Sequence, residues 1–344
     1  MVASLLSAKA WRAKYLTTAA YQRAFSSHRT AVVVGATSGI GEACAHRLAE
    51  QGFIVVAVGR NRPGRKESVV AALTEKSQQS QSLPQGQDNG GVSSSRQIPA
   101  HEFYACDAFS LADVNRVSQE IQAKHPIIDA LVMTQGMATT QGFTPTLEGN
   151  DEKLTLHYYS RMAFIQTLLP ALKKSKMPAV VMSVLSGGVH SSYRHLKDDP
   201  SLETNYSIKN AADAAGFYND LGLDRFAVEN PTISFVHASP GFVNTNWGTE
   251  FNPILRGIVR LLQPLGKKPS DCAEVLLGAT VLSSDAGEVL PPRPDRPDGT
   301  TSAVYIVGDK GGSQKLTQDH TDENIELLWK HTRGVFEMAG ITST

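Results

Sequence analysis

Cysteine is scarce: Cys44, Cys106 and Cys272 are the only three in 344 residues. They are far apart, form no CxxC pair and leave one thiol over in any disulfide scheme, which excludes a disulfide scaffold, leaves structural zinc without a motif and favours a reduced compartment. No apolar run approaches the roughly eighteen residues of a membrane span, so an integral membrane protein is not expected. Net charge is missing too, because Lys+Arg 33 balances Asp+Glu 33. That balance removes the electrostatic case for nucleic acid. What remains, 41% hydrophobic and 19% charged, reads as globular. The length exceeds one average domain but suits a single α/β unit with terminal extensions.

Acidic residues are absent from the beginning of the chain. Lys9, Arg12, Lys14, Arg23 and Arg29 all precede the first one, Glu42. With Leu5, Trp11, Leu16 and Phe25 among Ser, Thr and Ala, residues 1–29 have the composition of a mitochondrial transit peptide. A leading helix or arm of a cytoplasmic protein explains them equally well. Neither reading makes this extension catalytic.

Beyond it, short Val-rich runs alternate with helix-forming segments. Strands are expected near 31–34, 53–58, 102–106, 130–133, 179–184, 232–237 and 303–307. Helices are expected near 42–50, 66–76, 111–124, 151–174 and 207–227. Residues 77–97 are a Ser/Gln/Gly tract without periodicity, read as a solvated insertion. The Pro-rich 290–298 is a surface loop, and 312–344 a C-terminal helix and tail. Because β-α-β connections are right-handed and cover both faces, the pattern implies an α/β, Rossmann-like, doubly wound parallel sheet in one domain over 30–311. Its ligand belongs at the carboxyl ends of the strands.

Gly35-Ala36-Thr37-Ser38-Gly39-Ile40-Gly41 follows the first strand and opens the first helix. Small residues there let the backbone turn tightly and approach a pyrophosphate, whose charge faces the N–H groups of the helix. Gly35, Ser38, Gly39, Ile40 and Gly41 are therefore candidate cofactor contacts. Where a unit selective for NAD carries an acid for the ribose diol, this chain has Arg60 and Asn61 after Gly59. A cation there suits a 2′-phosphate, which places NADP ahead of NAD.

On these residues the chain resembles the short-chain dehydrogenase/reductase family, over about 30–311. The resemblance implies that Asp107 contacts the adenine. It also matches Gly136 to the glycine ending the family's Asn-Asn-Ala-Gly, and Pro240-Gly241-Phe242-Val243-Asn244-Thr245 to the turn that meets the nicotinamide, with Val243 and Thr245 as contacts. The implied activity is hydride transfer between the nicotinamide and a carbonyl or alcohol of a small, lipophilic substrate. The implied assembly is a homodimer, and no metal is expected.

For the chemistry the family uses Ser, Tyr and Lys. Ser186 fits the serine, with Ser183 as the lesser candidate. Tyr206 precedes Lys209 by three positions, where the family has four, a difference of about 100° around a helix. If Lys209 keeps the lysine position, Asn205 takes that of the tyrosine. Ser186, Tyr206 and Lys209 are the expected catalytic set; Tyr193 and Lys197 have the family spacing in a segment rich in turn residues. His157 stands where the family often has Asn. Residues 251–265, in the place of a substrate lid, carry an apolar stripe that suits a lipophilic pocket, a core helix or a dimer face. The altered Tyr/Lys spacing also allows a rival reading, a nucleotide-binding sensor or assembly subunit without catalysis.

Overall fold

The computed structural model describes residues 29–81, 100–245, 253–285 and 290–342. Residues 1–28, most of the expected insertion and part of the expected lid lie outside them. Seven parallel strands form one sheet: β1 (Thr30–Val34), β2 (Ile54–Gly59), β3 (Glu102–Ala105), β4 (Ala130–Met133), β5 (Val180–Val184), β6 (Ser234–Ala238) and β7 (Tyr305–Val307). Their order is β3-β2-β1-β4-β5-β6-β7. The chain winds outward from β1 to β3, then returns to the other side of β1 and winds outward again. That reversal opens a crevice at the carboxyl ends of β1 and β4.

Every residue of β1, β4 and β5 is buried, as a parallel strand covered on both faces requires. The two-residue period of β1 divides the core. Val32 and Val34 pack in one layer with Val114, Phe164 and Phe217, under α3 (Leu111–Lys124), α4 (residues 152–172) and α5 (Ile208–Glu229). Ala31 and Val33 pack in the other with Leu48, Leu73 and Leu276, under α1 (Gly39–Glu50), α2 (Arg65–Gln81) and α7 (Pro269–Gly278). A further helix α6 (Pro253–Leu262) precedes α7, and α8 (Val281–Asp285) follows it; α9 (Asp322–Met338) closes the first layer.

The α4 segment is composite. A turn at Glu152–Leu154 passes through a π-helical stretch, Thr155–Tyr159, into Ser160–Leu172. His157 sits inside the π stretch.

The expected insertion needs a correction at its start, since α2 continues to Gln81. Ser77 is not solvated: its buried hydroxyl donates to the Ala49 carbonyl at 3.0 Å and lies 2.9 Å from His101 Nε2. His101 Nδ1 in turn accepts from the Val55 N–H at 3.1 Å. These partners hold polar residues in the helix that composition alone assigns to solvent.

Candidate active site

A cleft of about 660 Å³ opens at the carboxyl ends of the central strands. Gly35 and Gly39 have φ of +85° and +61°, left-handed conformations that favour glycine. A Cβ at Gly35 would lie 2.7 Å from Thr134 Oγ1, and one at Gly41 would fall inside contact with the Gly35 carbonyl and the same hydroxyl. Thr134 donates to the Val34 carbonyl at 3.0 Å and so locks the turn against β4. Ser38 is the extended N-cap of α1, yet its side chain makes no capping bond. The first N–H groups of α1 therefore stand at a cleft with backbone packed close behind them, a cradle for a dinucleotide pyrophosphate.

Gly35, Ser38, Gly39, Ile40, Gly41, Arg60, Asp107, Gly136 and Thr245 all line this cleft. A Cβ on Gly39 would lie 3.0 Å from the Thr245 methyl, so the two motifs at opposite ends of the fold meet here. Two expected contacts do not. Asn61 is exposed beyond the rim, and Val243 is buried in the core beneath its turn. Beside Asn61 it is Arg60 that takes the lining position, and in the other turn Val243 packs into the core cluster with Cys272 and Ala273 while Thr245, two residues on, reaches the cleft. Asp107 Oδ1 accepts from the Phe109 N–H at 3.1 Å, so its carboxylate also closes a local turn.

The expected catalytic set is rearranged. Tyr206 lies before the first turn of α5, and its phenol donates to the Gln141 carbonyl at 3.1 Å and accepts from Lys153 Nζ at 2.7 Å. Lys153 is 6% exposed and also donates to the Gln141 carbonyl at 2.8 Å. Lys209 instead turns outward to Asp213, with its side chain 75% exposed. The lysine beside Tyr206 is thus Lys153, from another element, which corrects the Tyr206–Lys209 pairing. Burial, then the Asp151 charge, pushes the phenol up to about 12. Gln141 lines the cleft and stands between it and the phenol.

Ser186 is also displaced from its expected role. Its hydroxyl is buried, with no hydrogen-bond partner among the described residues, while Leu185 faces the cleft. A Cβ on Gly216 would lie 2.5 Å from both Ser186 Oγ and the His190 ring, so that glycine lets α5 approach β5. Ser183 lies inside β5, donating to Asn219 at 2.7 Å and accepting from Arg161 at 2.6 Å. The alternative pair is elsewhere: Tyr193 donates to the Asp199 carbonyl at 3.0 Å, and Lys197 pairs with Glu323. Asn205 is bound to Asp199 through its backbone and side-chain nitrogens.

Behind the cleft, Arg161 and a cluster around Asp220 escape sequence reasoning, while His157 is singled out by it. Arg161 is fully buried and donates to Ser183 Oγ, to the Val184 carbonyl at 3.0 Å and to the Gln135 carbonyl at 2.5 Å. It pins the ends of β4 and β5 together, and burial lowers its pKa to about 9. Its one sequence signal is a cation inside the otherwise apolar run of α4. One helical turn earlier, His157 Nε2 accepts from the Met137 N–H at 3.0 Å. Burial, then Arg161 and Lys153, pulls its pKa down to about 3, so the ring is neutral and braces the cleft wall.

The second group is a relay beneath Ser186. Asp220 accepts from His190 Nε2 at 2.9 Å and from His237 Nδ1 at 2.6 Å, and His237 Nε2 accepts from the Ser186 N–H at 3.1 Å. That last bond places the His237 proton on Nδ1, so the trio is a hydrogen-bond relay and not a set of metal-ligating lone pairs. Burial alone would raise the Asp220 pKa, but the two imidazoles outweigh it and hold the carboxylate well below its usual range. Burial would likewise lower His190, yet Asp220 outweighs it and the net shift is upward.

A sequence profile of short chain dehydrogenases matches residues 29–86, which contain the glycine turn and β2. An oxidoreductase of Emericella nidulans is 28% identical over 336 residues, covering 90% of this chain and 93% of that protein. A short-chain dehydrogenase from Streptomyces avermitilis shares the fold, with a TM-score of 0.54, 19% identity, and coverage of 91% of this chain and 95% of its own. So does an alcohol dehydrogenase from the archaeon Thermococcus sibiricus, complexed with 5-hydroxy-NADP: TM-score 0.51, 19% identity, 72% of this chain and 88% of that one. With the glycine turn, the reversed strand order and the Pro240–Thr245 turn meeting in one cleft, the chain belongs to the short-chain dehydrogenase/reductase family of oxidoreductases.

Proposed function

We propose that this oxidoreductase uses NADP(H) to interconvert a carbonyl and an alcohol on a small lipophilic substrate. The observation that carries the cofactor choice is Arg60, exposed on the cleft wall at the end of β2. No acid occurs from residue 51 to residue 66, while Arg62 and Arg65 follow close by. A ribose diol would lack its carboxylate here, and a 2′-phosphate would meet guanidinium. The NADP analogue on the Thermococcus sibiricus neighbour is in keeping with this choice. Met137, Leu156 and Leu185 line the cleft near His157, an apolar wall suited to a lipophilic substrate.

The nicotinamide nucleotide supplies or accepts the hydride when bound; the chain must supply the proton. Tyr206 is the proposed donor, with Lys153 as its cation. Burial keeps the phenol protonated at neutral pH, so it has a proton to give to the alkoxide that hydride transfer to a carbonyl leaves. The Gln141 carbonyl must release the phenol for Tyr206 to reach the cleft. Ser186 supports the same region from below, through its N–H on His237.

Cofactor titration and a panel of lipophilic ketones and aldehydes test the reading. Arg60→Ala should weaken NADPH about ten- to a hundred-fold and leave NADH nearly unchanged; equal loss for both removes the NADP assignment. Tyr206→Phe should lower kcat at least about a hundred-fold with NADPH affinity preserved. Full turnover in that variant would reject Tyr206.

A further inference from the structure

The turn that carries Thr245 has no helix or strand of its own to hold it. Phe242 and Asn244 are exposed, and only Val243 between them is buried. The rest of its support comes from a strip of chain after α6, where a short 3-10 turn, Gln263–Leu265, leads to Lys267 and a parallel bridge to Val243. The Lys267 N–H donates to the Phe242 carbonyl at 2.9 Å, and the Asn244 N–H donates to the Lys267 carbonyl at 2.8 Å. A Cβ on Gly266 would lie 2.7 Å from the Asn244 nitrogen, so a glycine lets the strip come this close. Lys267 Nζ donates to the carbonyl and the carboxylate of Asp309, at 2.6 and 2.7 Å, which ties the strip to the end of β7.

Gln263 adds a side chain to this backbone support. At 100° per residue it shares a face with Val259, and both are buried, whereas Leu261 and Leu262 are exposed. Among the described side chains from 256 to 265 it is the one buried polar group. An amide on a buried face costs free energy unless it is hydrogen-bonded. Its Nε2 donates to the Thr245 carbonyl at 2.7 Å. Thr245 in turn stands against Gly39 in the cleft wall. A dinucleotide with its 2′-phosphate on Arg60 and its pyrophosphate on α1 must run on past Thr245 with its nicotinamide half.

We infer that Gln263 is a positioning residue for the cofactor: through the Thr245 carbonyl it fixes where Thr245 stands, and so sets the affinity of the nicotinamide half while leaving the adenosine half untouched. This rests on the dinucleotide reading of the cleft proposed above. Gln263 itself touches no reacting atom, and its whole effect passes through one backbone oxygen.

Calorimetric titration of the full chain with NADPH and with adenosine 2′,5′-bisphosphate, which lacks the nicotinamide half, tests this. Gln263→Leu nearly keeps the buried volume and removes the donor. It should weaken NADPH about three- to tenfold, the range of one neutral hydrogen bond, and leave the bisphosphate unchanged. Gly266→Ala presses on the same turn and should give the same selective loss, a check that does not depend on how the core accepts the leucine. Thr245→Ala should also weaken NADPH, and adding Gln263→Leu to it should cost little more, because both act through one residue. Equal losses for NADPH and the bisphosphate, no loss in either, or full additivity with Thr245→Ala would overturn the proposal. A wild type that prefers NADH removes only the NADP assignment, and NADH with 5′-AMP then carries the same comparison. A wild type that binds no dinucleotide overturns both readings.

Discussion

The two halves of the cleft are built from different materials. On the β1–β2 side the working groups are backbone: helix N–H groups, glycines at positive φ and carbonyls packed where no side chain fits. On the β5–β6 side they are buried side chains on separate elements, joined as Arg161 to Ser183, Asp220 to two histidines and Lys153 to Tyr206. A backbone site tolerates drift in the side chains around it and fails when a Cβ enters. A side-chain site can draw its members from distant elements, as Lys153 beside Tyr206 illustrates, provided each buried charge keeps a partner.

The sharpest way to break this contrast is Gly41→Val. Its side chain would strike the Gly35 carbonyl and Thr134, so NADPH binding should be lost in a titration and the melting temperature should fall, at a cost of about 1–3 kcal/mol from overpacking or more. Asp220→Asn acts on the other half. It should destabilise the protein by about 3–5 kcal/mol in urea unfolding, because His190 and His237 lose their shared carboxylate. NADPH affinity should change little in the protein that remains folded; a matching loss of cofactor would show that the halves are not separable.

Acid sharpens the comparison with one histidine on each side. His101 is pulled down to about 4 and His157 to about 3, both chiefly by burial, from an ordinary value near 6.5. The unfolded chain therefore binds protons that the folded chain refuses. Stability from these rings is complete above about pH 6.5 and is lost as pH falls toward 4 and then 3, at up to about 1.4 kcal/mol per pH unit for each ring. Thermal melts between pH 7 and pH 4.5 should show the fall, and His157→Asn should make it shallower. A flat profile would mean that both rings already carry charge in the fold. The smallest effect belongs to Lys209→Ala. Its exposed pair with Asp213 should contribute no more than about 0.5 kcal/mol, and kcat should not move. A large drop in kcat would restore Lys209 to the chemistry and return the Tyr–Lys pair to a single helix.

Strand positions were legible because a parallel strand buried on both faces must be a short apolar run, as 130–133 illustrates. The glycine turn was legible because strand, turn and helix are consecutive in the chain. Asn61 and Val243 were misread because direction on an irregular turn has no period. The start of the insertion was misread because Ser77 and its partners His101 and Ala49 are far apart in sequence. Lys153 and Tyr206 likewise meet across 53 residues, a separation that no helical spacing rule can reach.

By itself the sequence determined the doubly wound sheet, the pyrophosphate cradle and the cation at the end of β2. Each depends on residues near in the chain and on backbone geometry that a few residue types dictate. Only the tertiary structure decided which lysine meets Tyr206, that Ser186 faces inward, that Arg161 ties β4 to β5 and that the leucines of α6 face outward. Those outcomes turn on which buried polar groups find partners across distant elements, and the low-dielectric interior makes that choice only when the whole fold has closed around them.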